Sequence, residues 1–130
     1  MFAKKRVLCV DDHEDTCGLV SAVLGDYNVI AEYSKAGGLS QAATEKFDLI
    51  VVDYHLPDGT GLELCMLIRA FDPNTPILLV TCTHSISHED VIAVGGQGVI
   101  RKDHLSHLLP VAAARALEVT LLEAHSASSG

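Results

Sequence analysis

Three short apolar runs constrain the fold of this sequence more than any other feature. They cover residues 6–10, 49–52 and 77–80, and each run is continuous rather than alternating. Strands with this pattern are covered on both faces, as in a parallel sheet, whereas a strand with one wet face alternates apolar and polar residues. The runs therefore predict the central strands of a parallel β-sheet.

Two further runs complete the predicted sheet. Residues 28–33 alternate and carry Glu32, which is typical of an edge strand, and residues 98–101 follow a glycine pair. Helical patterns lie between the runs, at about residues 16–24, 39–47, 60–70, 87–94 and 106–123. The alternation of strands and helices predicts an α/β fold, in which five parallel strands have helices on both faces.

The ends of the predicted helices carry local signals. Thr60 and Glu63 have the spacing of a capping box, and Ser106 is the expected N-cap of the last helix. That N-cap would place Pro110 in the first turn or so, where proline is tolerated. The sequence thus predicts one domain over residues 4–123, followed by a tail over residues 124–130 that is disordered or foreign to the natural chain.

Length and charge narrow the classes of function. A chain of 130 residues can bury a core without disulfides or metals, and its formal net charge of −8 excludes a general attraction to nucleic acid or anionic lipid. No apolar run reaches the roughly 20 residues of a membrane helix, and no signal peptide is recognisable. We therefore expect a cytoplasmic protein, with reduced, structural thiols at its four cysteines, Cys9, Cys17, Cys65 and Cys82.

Polar residues fall at the ends of the predicted strands. Asp11 and Asp12 follow the first strand, Asp53 ends the third, and Thr81 and Lys102 end the fourth and fifth. A single Asp after a strand is usually a helix cap or turn residue. If the strand order is 2-1-3-4-5, however, all five residues converge where ligands bind in such sheets. Together they predict a site for Mg²⁺ and phosphate.

Four segments carry a resemblance to a known family. They are VLCVDD (7–12), DLIVVDYHLPDGTG (48–61), PILLVT (76–81) and GGQGVIRK (95–102). Over roughly residues 4–122 the sequence resembles the receiver domain of bacterial two-component response regulators, in the CheY-like superfamily. The D-x-x-L-P-x-x-x-G pattern that begins at Asp53 is the most specific part. The resemblance implies a flavodoxin-like, doubly wound sheet of order 2-1-3-4-5 with five helices, and a signalling domain rather than a conventional enzyme.

The resemblance also implies the phosphoacceptor and its metal ligands. Asp53 would be phosphorylated, with Mg²⁺ as the cofactor. Asp12 would bind the metal directly and Asp11 partly through a water. Asp53 and the backbone carbonyl of His55 would complete the protein ligands.

The resemblance further implies the residues that bind the phosphoryl group and relay the signal. Lys102, Thr81 and the backbone of Cys82 would contact the phosphoryl oxygens. Val99 stands at the relay position, where the family usually has an aromatic ring, and a valine cannot swing as a ring does. Asp103 replaces the usual proline, so we expect either a trans peptide with a rearranged loop or a costly cis bond. We also expect Asp103 to compete for Lys102.

The partners implied by the resemblance are a sensor histidine kinase or phosphotransfer protein and a downstream effector. A homodimer would form through the face of the fourth helix, fifth strand and fifth helix, and no direct contact with nucleic acid or membrane is expected. One alternative is an interaction module that keeps the fold without phosphorylation.

Two other functions are disfavoured by residue spacing. An aspartyl phosphatase needs D-x-D after the first strand, whereas this chain has Asp11-Asp12-His13. The histidine pairs 84/88 and 104/107 lack the accompanying ligands of a zinc site.

Overall fold

The structure is a computed structural model that describes residues 4–129, with side chains described for residues 4–118. Five strands form the main sheet: β1 (Arg6–Val10), β2 (Asn28–Glu32), β3 (Leu49–Asp53), β4 (Ile77–Thr81) and β5 (Gly98–Arg101). Five α-helices alternate with them: α1 (Glu14–Val23), α2 (Lys35–Thr44), α3 (Gly61–Arg69), α4 (His88–Ala93) and α5 (Leu105–Ser129). A small hairpin (His55–Leu56 with Gly59–Thr60) precedes α3, and a 3₁₀ turn (Lys102–His104) precedes α5.

The sheet is parallel throughout and has the order β2-β1-β3-β4-β5, as predicted. Every residue of β3 and β4 is buried, whereas β2, at the edge of the sheet, is only half-buried. The register sets Val10 beside Val52, Asp53 beside Val80, and Thr81 beside Arg101. The carboxyl ends of β1, β3, β4 and β5 therefore lie at one side of the sheet.

The core has two halves, one on each face of the sheet. On one face, Val20 of α1 and Leu109 of α5 are fully buried against the sheet. On the other face, Leu64 and Ile68 of α3 are equally buried. Each such side chain contributes roughly 1.5–3 kcal/mol by leaving water. Both sheet faces are thus covered, which explains the continuous apolar runs of the central strands.

The predicted start of α3 is confirmed. Thr60 Oγ1 accepts a hydrogen bond from the Glu63 N–H at 3.2 Å, and Glu63 Oε1 accepts one from the Thr60 N–H at 3.1 Å. This reciprocal capping box satisfies two N–H groups that the helix leaves without backbone partners. It also fixes how the chain turns from the hairpin after Asp53 into α3.

The predicted boundaries of α5 are wrong at both ends. The 3₁₀ turn runs directly into the helix, so α5 begins at Leu105 and Ser106 lies inside its first turn rather than at the N-cap. Pro110 is consequently inside the helix. The helix continues to Ser129, beyond the predicted end at residue 123, because the sequence contains neither proline nor glycine from residue 111 to residue 129. The side chains of the predicted tail, 124–130, lie outside the described residues.

Within the described part of the chain, no helix combines the length and the apolar character that crossing a membrane requires.

Candidate functional site

An acidic cluster occupies the carboxyl-end side of the sheet. The potential ligand atoms of Asp11, Asp12, His13 and Asp53 all lie within 4.8 Å of one another. Asp11 is 2% exposed and Asp53 is 4% exposed, whereas Asp12 and His13 face solvent. The reversal of strand order at β1 produces this convergence, because it places β1 directly beside β3. The three carboxylates that the sequence predicted to meet are therefore together.

Lys102 supplies the positive charge of the site. Its Nζ lies 2.9 Å from Asp11 Oδ2 and 3.4 Å from Asp53 Oδ2. Burial lowers the pKa of the Lys102 ammonium, but the contacts with Asp11 and Asp53 outweigh burial and raise it above its usual value. The ammonium is therefore charged at neutral pH and holds the two buried carboxylates beside each other.

The charge on Asp53 remains incompletely balanced. Burial and the neighbouring Asp11 carboxylate raise the pKa of the Asp53 carboxyl, although Lys102 acts in the opposite direction. Among the described residues, the buried Asp11 Oδ2 has no hydrogen-bond partner of good geometry, despite its close approach to Lys102. The buried carboxylates of Asp11 and Asp53, together with the exposed carboxylate of Asp12, fit a hard divalent cation, which prefers oxygen ligands.

Asp53→Asn is expected to raise the free energy of unfolding at neutral pH, because it removes a buried negative charge that faces Asp11. An acid with a raised folded pKa binds more protons when folded, so the stability of the natural chain falls as the pH rises through the interval between its two pKa values. The advantage of the variant should therefore shrink as the pH falls toward about 3.9, the unfolded pKa. Urea unfolding of both proteins between neutral pH and about pH 4 measures this difference in stability. An Asp53→Asn variant less stable than the natural chain at neutral pH contradicts the expectation.

Thr81 and the loop after it lie on the same side of the sheet as the acidic cluster. Thr81 ends β4, is buried, and accepts a hydrogen bond from the Thr83 N–H at 3.1 Å. Thr83 in turn accepts one from the Ser85 N–H at 3.0 Å. Cys82 is exposed between them. The hydroxyl of Thr81 therefore holds the first turn of the loop between β4 and α4.

His55 lies on the other side of Asp53, at the start of the hairpin. Its side chain is exposed and packs edge-on against the ring of Tyr54, with the ring centroids 4.7 Å apart. Only the backbone carbonyl of His55 is predicted to bind the metal, so the imidazole ring has no part in that prediction.

The two departures from the family pattern have clear structural outcomes. All described peptide bonds are trans, including Lys102–Asp103, and the loop forms the 3₁₀ turn instead. The expected competition of Asp103 for Lys102 is wrong, because Asp103 pairs with both Nε and Nη2 of Arg101, at 3.0 and 3.2 Å. Val99 is half-buried and packs against the core half that contains α3 and α4.

Two residues near the site were missed by the sequence reasoning. His13 Nδ1 lies 3.2 Å from Asp11 Oδ1 and 3.1 Å from Asp12 Oδ1, and its position directly after the acidic pair was the available signal. Arg101 Nη1 lies 2.8 Å from His84 Nδ1, which links the loop after β4 to the end of β5. This second contact joins residues 17 apart in sequence, and no local pattern announces it.

Comparison with known proteins identifies the class. Residues 7–113 match the family described as the response regulator receiver domain. The response regulator ArlR of Staphylococcus aureus is 36% identical over 78 residues, which cover 58% of this chain and 35% of ArlR. The chain thus corresponds to only about a third of that relative.

Solved structures agree with this family match. A CheY-like response regulator receiver domain protein from Methanospirillum hungatei JF-1 has a TM-score of 0.86 at 25% identity, over 93% of this chain and 99% of that one. The BeF₃-activated receiver domain of DrrB has a TM-score of 0.80 at 25% identity, over 89% and 99% of the two chains. The chain is a member of the response regulator receiver domain family of two-component systems, and the predicted family and fold are confirmed.

Proposed function

We propose that this chain is a phosphoacceptor receiver, which takes a phosphoryl group onto Asp53 with Mg²⁺ and then changes a protein-interaction face. The observation that carries the proposal is the setting of Asp53. Its buried carboxylate ends β3 beside the Lys102 ammonium, which also contacts the carboxylate of Asp11, at the edge where parallel sheets bind ligands. The phosphoryl donor would be a phosphohistidine of a sensor kinase or a phosphotransfer protein in the cytoplasm.

In the proposed reaction a carboxylate oxygen of Asp53 attacks the phosphorus. The bond from phosphorus to the donor histidine nitrogen breaks, and an aspartyl phosphate forms. The transition state spreads negative charge over the phosphoryl oxygens, so positioned positive charge accelerates the transfer. Lys102, whose Nζ is 3.4 Å from Asp53 Oδ2, would supply part of that charge. Thr81 and the backbone N–H of Cys82 would donate hydrogen bonds to the phosphoryl oxygens.

The metal-binding residues in this proposal are Asp11, Asp12, Asp53 and the backbone carbonyl of His55. Mg²⁺ bound there would supply positive charge to the phosphoryl oxygens and to the acidic cluster. The raised pKa of the Asp53 carboxyl and the grouping of the Asp11, Asp12 and Asp53 carboxylates within 4.8 Å of one another both support a cation site. Since the attacking Asp53 must be ionised, bound cation and Lys102 would both favour the reactive form.

Phosphorylation would act on the loop after β4. New acceptor oxygens on Asp53 would attract the proton of the Thr81 hydroxyl. Movement of Thr81 toward them would weaken the hydrogen bond that its oxygen accepts from the Thr83 N–H, and the loop that depends on that contact would shift. His84 lies on the same loop and contacts Arg101 of β5, so the shift would also reach β5. A conformation already populated would be selected by the new charge.

The face of α4, β5 and α5 would be the output surface, for an effector or for a second copy of the chain. It carries a cavity of about 490 Å³ whose lining includes Val99, Leu108, Val111 and Arg115. Leu108 and Val111 each expose about half of their surface. Exposed apolar side chains around a concave surface are typical of a binding surface.

The direct test uses acetyl phosphate and Mg²⁺. The natural chain is expected to gain the mass of one phosphoryl group, and Asp53→Asn to gain none. Asp26→Asn is the matched control, since Asp26 is exposed in the turn after α1. Phosphorylation that survives in Asp53→Asn, or its absence in the natural chain with both reagents present, would overturn the proposal.

Val99 supports a second candidate function, an interaction module that works without phosphorylation. The residue is half-buried and has no ring to rotate, so a relay through this position is weaker than in the family pattern. A partner that binds equally well to the natural chain and to Asp53→Asn, with and without Mg²⁺, would favour this function over the first.

A further inference from the structure

Two cysteines that the phosphoacceptor site does not use lie in direct contact. Cys9 is in the middle of β1, Cys17 is in the first turn of α1, and their Sγ atoms are 3.6 Å apart. We propose that Cys9 and Cys17 are a redox-active dithiol, which a hydroperoxide converts into an intrachain disulfide. This inference concerns thiol chemistry alone and does not depend on phosphorylation of Asp53.

The contact needs little movement to become a bond. A disulfide has an S–S distance of about 2.05 Å, so the sulfurs must approach by roughly 1.5 Å, shared between two side chains. At 3.6 Å the two sulfurs are at van der Waals contact, so no atom separates them. The sequence separation of eight residues means that α1 and β1, which already pack together, are the elements that the bond would join.

The surroundings distinguish the two sulfurs. Cys17 is 5% exposed and lies near the start of α1, whereas Cys9 is 1% exposed and lies within the sheet. Cys9 donates its S–H to Cys17 Sγ, which leaves Cys17 as the acceptor of the pair. A small oxidant entering beside the helix start therefore meets Cys17 first, and Cys9 is positioned behind it as the resolving thiol.

The chemistry balances in two steps. Cys17 sulfur attacks one oxygen of hydrogen peroxide, the O–O bond breaks, and a sulfenic acid and one water form. Cys9 sulfur then attacks the sulfur of that sulfenic acid, the S–O bond breaks, and the hydroxide leaves as water with the proton of Cys9. In total, two thiols are oxidised by two electrons to one disulfide, and one peroxide is reduced to two waters.

The disulfide would change the contacts of the backbone that carries the acidic cluster. Cys17 Sγ lies 3.6 Å from the backbone carbonyl oxygen of Asp11, and Cys9 precedes Asp11 by two residues. Oxidation removes the Cys17 thiol proton that is directed at this carbonyl. The bond would also fix the first turn of α1 to β1, next to the segment that carries Asp11 and Asp12.

The test treats the folded natural chain with hydrogen peroxide and then alkylates the remaining thiols after unfolding. We expect the loss of two alkylatable thiols and of two hydrogens in the intact mass. Trypsin leaves both cysteines in one peptide, 7–35, so a second cleavage at an acidic residue (11, 12, 14 or 15) is needed to show two fragments joined by a disulfide. Reduction should restore both thiols.

Cysteine variants identify the partners. The disulfide should form unchanged in Cys65→Ser and in Cys82→Ala, which serve as matched controls for a buried and an exposed thiol. Cys9→Ser should stop at a sulfenic acid on Cys17 that a dimedone-type probe captures. A natural chain that keeps both thiols, or is oxidised only at Cys82, would show a reduced core pair and overturn the proposal, and this result requires no variant to fold.

Discussion

Lys102→Met is expected to lower the free energy of unfolding at neutral pH by about 3 kcal/mol, the low end of the cost of removing one partner from a buried ion pair. The low end applies because the Lys102 side chain is still 17% exposed. Without its ammonium, Asp11 and Asp53 remain buried with like charges facing each other. The methionine keeps most of the apolar stem, so the loss reports mainly on charge.

The pH dependence of Lys102→Met separates this explanation from a packing defect. With the cation gone, the folded pKa of the Asp53 carboxyl rises further, so the variant regains stability as the pH falls through the interval between that pKa and the unfolded value of about 3.9. The contribution of Lys102 itself is present below its unfolded pKa of about 10.4 and is lost as the pH rises through its higher folded pKa. Urea unfolding near pH 7.5 and near pH 5 should show a smaller deficit at the lower pH.

The control for Lys102→Met is Lys5→Met, which removes an exposed lysine and should change stability by no more than about 0.5 kcal/mol. Added Mg²⁺ should restore more stability to the Lys102 variant than to the natural chain, since the bound cation replaces the lost charge. An equal deficit at both pH values, unaffected by Mg²⁺, would show that the lysine acts through packing instead.

Gly61→Ala is the second substitution with a large expected effect, roughly 2–4 kcal/mol of destabilisation. A Cβ at this position would lie 2.5 Å from the backbone oxygen of Asp53 and 2.7 Å from Leu79 Cδ1. The methyl group of Leu79 can move aside, but the carbonyl belongs to Asp53, the proposed acceptor, at the end of β3. Relief of the contact must therefore displace Asp53 or the start of α3.

Gly18→Ala is the matched control for Gly61→Ala. Gly18 lies on the exposed side of α1, and an added Cβ there meets nothing within 4 Å. Alanine is favoured over glycine inside a helix by about 1 kcal/mol, so this variant should be more stable than the natural chain. Thermal unfolding should show a lower melting temperature for Gly61→Ala and a higher one for Gly18→Ala than for the natural chain. A Gly61 variant as stable as the natural chain would show that the end of β3 can yield.

The sequence predicted the features that follow from hydrophobic pattern and chain connectivity. The continuous apolar runs identified the buried strands, and the Thr60–Glu63 spacing identified the start of α3. Strand order then placed Asp11, Asp53 and Lys102 together, because parallel strands end on one side of the sheet. These predictions required no knowledge of side-chain conformation.

The features that were missed depend on side-chain positions between elements. Asp103 has three basic residues within two positions, and only the geometry of the 3₁₀ turn decides that it pairs most closely with Arg101 rather than with Lys102. The contact of Cys9 with Cys17 depends on how α1 is rotated over β1. A sequence pattern gives which side of a helix is buried, but not which two atoms meet.

The contribution of β5 to the site has a consequence for protein synthesis. The carboxylates of Asp11 and Asp53 come from β1 and β3, but the lysine that balances them follows the last strand. A nascent chain with only the first four strands outside the ribosome has the acids without their counter-charge. The proposed acceptor site is therefore complete only after the final strand has docked, so acceptance of a phosphoryl group would report that β5 has joined the sheet.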